Sequence, residues 1–256
     1  ALGWPHEPFV VPDDILNAWR KAGRKGKRLH KAWKSDKLGA LAADKRAEFE
    51  RRMKGDLPAA LVDAVKTAKQ KLADDRTEIA TRKASEAAIS VLAPAVPELV
   101  TGSADLTGSN NTKVAATPAI SPGHYAGRFV HWGIREHGMG AALNGMALCG
   151  LRPYGATFFV FTDYMRPAMR LAALMKQPVL YVMTHDSIGL GEDGPTHQPV
   201  EHLAAMRAIP NMVVIRPGDA NEVTEAYRAA LKSGDRPTTL VLTRQALPTL
   251  DRTKFA

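Results

Sequence analysis

From about residue 77 onward, short apolar or β-branched runs alternate with longer segments of helical spacing. The runs fall at 99–102, 128–132, 157–161, 179–184, 212–215 and 238–243, and each reads as a strand. Helical patterns lie at 81–92, which meets Pro94 at its end, and at about 136–149, 164–175, 200–207 and 220–232. Strands separated by helices of that length predict an α/β fold, a parallel sheet with helices on both faces. In such sheets ligands collect at the carboxyl ends of the strands.

The first 76 residues have a different texture. Residues 1–12 hold three prolines and two aromatics and read as an extended connector. Asp13 and Asp14 suit a helix start, where the macrodipole favours acidic side chains. Two further helices are predicted over 36–54 and 58–75. The second has Pro58 in its first turn and apolar residues at Leu61, Val62, Val65 and Leu72. With little apolar content of their own, these segments are expected to lie on a larger body. The chain therefore divides into a helical arm, 1–76, and a sheet domain, 77–256.

Composition excludes several classes. At 45% hydrophobic and 24% charged the chain is ordinary for a globular protein. No run of about 18 apolar residues exists to span a membrane. The start lacks a signal-peptide pattern and an initiating Met, so a fragment or a processed chain is expected. A single cysteine, Cys149, excludes an internal disulfide framework and agrees with a reducing, cytoplasmic compartment. It follows an apolar helical stretch and is expected to be buried and inert. The net charge of +9 raises the question of nucleic acid. Residues 1–76 carry 18 Lys and Arg against 11 Asp and Glu, a balance of +7, which leaves +2 for the rest. No aromatic stacking platform accompanies the basic run 20–28, so a solvated arm is the preferred reading and nucleic acid is not expected as a partner.

Three stretches carry candidate chemistry. Gly133 to Gly140 follows a strand and opens a helix that places Glu136 at its start. A helix-dipole partner and a catalytic carboxylate are both compatible with that position. Phe158, Phe159 and Phe161 lie in one run; strand core and a stacking platform both fit, with Phe159 and Phe161 on one face of a strand. The run from Thr184 to Pro199 places His185 at a strand's carboxyl end and adds Asp193 and His197 in a loop shaped by glycine and proline. Its histidine spacing matches no zinc motif, so a polar pocket for a hydroxylated anion fits better and no metal ligand is expected in this chain. Arg82, Ser109, His131 and Arg244 are further candidates for anion contacts; Arg244 also follows a strand.

Together these runs resemble the transketolase family. The matching stretches are Thr81 to Glu86, Gly102 to Thr107, Gly133 to Met139, Phe158 to Tyr164, His185 to Pro199 and Leu242 to Gln245. The resemblance implies a thiamine diphosphate-binding fold whose pyrimidine domain occupies 77–256, after the end of an N-terminal domain and a linker. It implies transfer of a two-carbon ketol unit between sugar phosphates, in the pentose phosphate pathway or Calvin cycle. By resemblance Glu136 shares a proton with the aminopyrimidine nitrogen N1′ and is kept dry, while Phe161 stacks on that ring with Phe158 and Tyr164 nearby. Asp105 and Leu106 fall in a matching stretch and are implied as cofactor contacts. Arg82, Ser109, Arg244 and His185 are implied as substrate-phosphate contacts, Asp193 as the reader of a sugar hydroxyl, and His197 as a contact to sugar and intermediates; Glu136, His185 and His197 are the catalytic set.

No Gly-Asp-Gly with a downstream Asn is present, so the Mg2+ or Ca2+ ligands are expected in an N-terminal domain. The family's active sites form between two subunits, which implies a homodimer and an isolated chain without activity. The synthase of deoxyxylulose phosphate is the nearest enzymatic rival, but its glutamate motif lacks the arginine present here as Arg135. A non-catalytic assembly module of the same fold would require none of the set Glu136, Phe161, His185, Asp193 and His197.

Overall fold

A computed structural model describes residues 3–251. Residues 1–2 of the expected connector and 252–256 of the expected sheet domain lie outside the described residues. In chain order the elements are α1 (Asp13–Trp33), α2 (Ala43–Lys54), α3 (Ala60–Asp75), β1 (Ile79–Ala80), α4 (Thr81–Ala95), β2 (Leu99–Ser103), α5 (Thr107–Asn110) and β3 (Phe129–His131). There follow α6 (Glu136–Leu148), β4 (Arg152–Phe158), α7 (Thr162–Leu174), β5 (Leu180–Thr184), α8 (His202–Arg207), β6 (Val213–Ile215), α9 (Ala220–Lys232), β7 (Thr238–Leu242) and β8 (Ala246–Leu247).

The chain forms two compact units, residues 1–51 and 52–256. In the first, α1 carries Asp13 and Asp14 in its first turn and His30 and Lys31 in its last, which complements the helix dipole at both ends. No residue of α1 is buried. The helix expected over 36–54 is interrupted: a π-turn spans Lys34–Leu38, and α2 begins only at Ala43. The Arg46 guanidinium fills the break by donating to the carbonyls of Gly39 at 2.6 Å and Leu38 at 3.2 Å.

In the second unit six strands form a parallel sheet in the order β3-β2-β4-β5-β7-β6. Period-two alternation sorts its side chains into two layers. On one face Leu180, Val182, Leu240 and Leu242 pack with Ile89 and Leu92 of α4 and with Val223, Tyr227 and Leu231 of α9. On the other, Tyr181, Met183 and Val241 pack with Met139 and Leu143 of α6 and with Met165 and Met169 of α7. The expected parallel sheet with helices on both faces is thus observed.

Helix α3 joins the first of these cores through Leu61, Val65 and Leu72, so it shares the sheet's core although it precedes residue 77. Val62 lies off that stripe and is exposed, contrary to its expected place on the apolar face, because it sits about 100° around the helix from Leu61. Pro58 precedes α3 rather than entering it; its carbonyl accepts the amide of Leu61 at 3.1 Å. Cys149 is exposed, which overturns the expectation of a buried thiol. It caps the carboxyl end of α6, whose last turn also leaves Leu148 in solvent. A small antiparallel pair, β1 with β8, was not foreseen.

The fourth strand also differs from expectation. It runs over Arg152–Phe158, and Phe159–Phe161 form a 3-10 turn rather than its end. Pro153 and Gly155 disguise the strand, because both residues are depleted in sheets. The turn moves Phe161 away from the face of Phe159: residues three apart eclipse in a 3-10 helix, so Phe161 aligns with Phe158 instead.

Close approach of β2 and β3 depends on Gly102. A Cβ there would lie 2.6 Å from the carbonyl oxygen of Val130, its partner on β3, and 2.4 Å from Nε1 of Trp132. Backbone cannot yield as a flexible side chain can. Gly102→Ala is therefore expected to lower unfolding free energy by about 1–3 kcal/mol, read by urea denaturation; an unchanged midpoint and slope would contradict this packing.

Candidate active site

Parallel pairing brings the carboxyl ends of the strands to one edge. Phe158 is in register with Thr184, and Thr184 with Leu242. The residues that follow, His185 after β5 and Arg244 just past β7, are therefore delivered to the same place. His185 adopts a left-handed backbone with φ of 59°, which turns its ring back over the sheet edge. The ring lies against Phe158, with centroids 3.7 Å apart. Phe158 stacks on Phe161 at 5.8 Å with planes 14° apart, and His197 meets both edge-on. Tyr164, largely exposed, completes this aromatic wall at 6.1 Å from Phe161.

The protonation of His185 follows from its partners. The single hydroxyl proton of Thr184 goes to Asn110 Oδ1 at 2.8 Å, whose amide nitrogen is occupied with Ser103 Oγ at 3.1 Å. Thr184 Oγ1 must then accept from His185 Nδ1, 2.9 Å away, which leaves Nε2 as a bare acceptor. Burial, reinforced by the Arg82 guanidinium, lowers the His185 pKa to about 4. At neutral pH its 3.5 Å approach to Asp193 Oδ2 is thus a contact between a neutral ring and a carboxylate rather than an ion pair.

Two guanidinium groups flank this histidine. Arg82, in the first turn of α4, donates to the carbonyl of Ser109, so Ser109 enters through its backbone. Burial and the like charge of Arg244 lower its pKa, and Asp193 opposes them. Arg244 donates to the Leu190 carbonyl at 3.1 Å and to Glu192 at 2.6 Å, with Asp193 at 3.5 Å from its Nε. The loop presenting these acids is shaped by Gly191 and Gly194, both at positive φ, and is closed by Gln198 donating to the Ile188 carbonyl at 3.0 Å.

Glu136 is the first residue of α6 and only 7% exposed. No hydrogen bond or ion pair holds its carboxylate among the described residues, and its oxygens still reach the surface. Asp105, exposed with φ of 61°, and half-buried Leu106 follow β2. The ring and polar contacts above do not reach Asp105, Leu106 or Glu136; these three share the carboxyl edge with the rest. His131 ends β3 at the same edge and remains exposed, with Nδ1 3.5 Å from Thr107 Oγ1.

Comparison with known proteins gives the family. The transketolase pyrimidine binding domain matches residues 77–249, and the transketolase thiamine diphosphate binding domain matches 1–58. The chain belongs to the transketolase family. It is 53% identical over 250 residues to transketolase from Cereibacter sphaeroides, covering 97% of this chain and 37% of that relative. The solved transketolase from Leishmania mexicana superposes with a TM-score of 0.84 at 43% identity, covering 96% of this chain and 36% of that one. A Pichia stipitis transketolase in complex with sedoheptulose-7-phosphate gives 0.81 at 40% identity, covering 95% and 37%. The chain spans little more than a third of these relatives.

Sequence reasoning missed the groups that support this transketolase edge. Asp186, its side chain fully buried, accepts from Arg216 Nε at 2.9 Å and Nη2 at 2.6 Å and so fixes the backbone beside His185. The rule that singled out Arg244, an arginine just past a strand, finds Arg216 as well.

The low pKa of His185 has a stability consequence. An unfolded histidine takes up its proton near pH 6.5, whereas the folded ring resists protonation down to about 4. Stability from this group is complete above 6.5, falls on acidification toward 4, and falls no further below. In urea titrations between pH 7 and 4 the wild type should lose stability more steeply than His185→Gln; parallel losses would contradict the assignment.

Proposed function

We propose that this chain supplies the aminopyrimidine half of a thiamine diphosphate site and part of a sugar-phosphate pocket for two-carbon ketol transfer. The observation that carries the reading is Glu136, a buried carboxylate without a protein partner at the sheet edge that also bears Phe161, His185, Arg82 and Arg244. The residues fit the group: a buried glutamate with no protein partner suits a ring nitrogen, and a partly exposed phenylalanine, supported from behind by Phe158, suits a flat heterocycle. When bound, thiamine diphosphate supplies a nucleophilic carbon and an electron sink for carbon–carbon cleavage.

The chain's own side chains do the rest. Glu136 holds a proton at the pyrimidine nitrogen N1′, where the excluded water strengthens the contact. Phe161, with Phe158 and Tyr164, orients the ring, and Asp105 and Leu106 border it. Arg82 and Arg244 grip the substrate phosphate, whose charge offsets the repulsion between two neighbouring guanidinium groups. Ser109 lies beside that phosphate. Neutral His185 accepts a substrate hydroxyl proton at Nε2, Asp193 reads a second hydroxyl, and His197 reaches the sugar from the aromatic wall.

The sugar-phosphate substrates follow from the basic pocket and from the bound sugar phosphate named for the Pichia stipitis relative. In this reading 77–256 is the pyrimidine domain and 1–76 an arm from a diphosphate-binding domain. That domain supplies Mg2+ or Ca2+ ligands, and a second subunit completes each site in a cytoplasmic homodimer of the pentose phosphate pathway or Calvin cycle. No helix of the described residues is long and apolar enough to cross a membrane.

Glu136→Ala tests the reading in a protein that joins this chain to its diphosphate-binding domain. The variant should keep its far-ultraviolet spectrum and melting temperature yet lose ketol transfer roughly 100- to 10,000-fold at saturating cofactor. Unchanged turnover would sink the role given to Glu136.

A further inference from the structure

Outside the candidate active site, His202 is buried to 3% exposure at the start of α8, with both ring nitrogens lacking a hydrogen-bond partner. A buried imidazole with neither nitrogen satisfied is costly unless something else takes a lone pair. Its Nε2 lies 3.2 Å from Asp163 Oδ2, and its Nδ1 lies 3.8 Å from Glu201 Oε2. The first contact is close enough for a hydrogen bond but lacks the alignment. It matches another geometry instead: two ligands each about 2.0–2.1 Å from a tetrahedral zinc ion are about 3.3 Å apart. One donor atom from each of Asp163, Glu201 and His202 falls within 4.8 Å of the others.

We infer that Asp163, Glu201 and His202 form a binding site for a divalent transition-metal cation of the zinc class. Exposed acids alone would not suggest this; the buried histidine aimed at them does. The outer surroundings agree. Arg166 donates to Asp163 Oδ1 at 2.7 Å and leaves Oδ2 turned to the histidine. The His202 ring is fixed against buried Phe159, with centroids 5.8 Å apart. One imidazole and two carboxylates leave a coordination position for water. The imidazole favours zinc, cobalt or nickel over magnesium, which prefers oxygen ligands and sheds water reluctantly.

The location gives the ion a purpose. Asp163 sits in the first turn of α7, immediately after the turn that carries Phe161. Glu201 and His202 close the loop that carries His185, Asp193 and His197. A cation held by both segments staples the aromatic wall to that loop. The inference is independent of the proposed cofactor, since it concerns residues outside that site.

Co2+ added to the full 256-residue chain without thiamine diphosphate provides the test, read by visible absorption, equilibrium dialysis and thermal melting. The site predicts saturable binding of a single Co2+ per chain, displaced by Zn2+ but not by equimolar Mg2+, with a rise in melting temperature. His202→Gln should weaken binding by more than the roughly 10–100-fold typical of losing an outer-shell partner. Asp163→Asn, on the surface, should weaken it likewise while keeping the metal-free melting temperature, so the test survives if the histidine variant does not fold. Absence of saturable binding overturns the inference. So does binding that survives Asp163→Asn, or binding abolished by His197→Gln instead.

Discussion

The register of a parallel sheet fixes this molecule's chemistry. Phe158, Thr184 and Leu242 lie opposite one another on adjacent strands, so whatever follows them emerges at one edge. A slip of one residue in β5 would exchange Leu180 and Val182 with Tyr181 and Met183 between two cores of different shape. Because both faces are buried, the core holds the register, and the register places His185 against Phe158 and brings Arg244 near it. Precision at the edge thus comes from packing far below it.

Electrostatics at the edge follow from restraint on charge. Arg82 and Arg244 repel each other, and burial makes that repulsion larger. Glu192 and Asp193 offset it from the loop, while His185 stays neutral and adds no third positive charge. The same hydrogen-bond chain that orients His185, through Thr184, Asn110 and Ser103, also selects its tautomer and leaves Nε2 open. Asp186 and Arg216 hold the adjoining backbone, so the left-handed conformation at His185 persists without glycine.

Much of this was legible in the sequence, and the exceptions have physical causes. β-branched and apolar runs located five of the six sheet strands; β5 and β7 are buried on both faces and read as continuous apolar runs, whereas the edge strands β3 and β6 are only partly buried and are marked by their β-branched residues. β4 was displaced because Pro153 and Gly155 break the pattern, whereas the phenylalanines just beyond it imitate a strand. The exposed side of α6 defeated the expectation for Cys149, since an apolar sequence does not say which side of a helix faces the core. Spacing alone shows Glu136 only as a carboxylate at a helix start, and it was the family resemblance that implied a role for it; its burial and lack of a protein partner are products of tertiary packing. Asp163 and His202 carry no signal at all until α7 and α8 meet, because no local spacing connects them.

The account rests on a buried glutamate, without a protein partner, waiting for a ring nitrogen. A crystal structure of the protein joined to its diphosphate-binding domain, with thiamine diphosphate bound, tests this directly. It should place a Glu136 oxygen about 2.6–3.2 Å from the pyrimidine nitrogen N1′, with the Phe161 ring against the pyrimidine. A pyrimidine bound elsewhere, or a Glu136 carboxylate satisfied by its own chain, would contradict it.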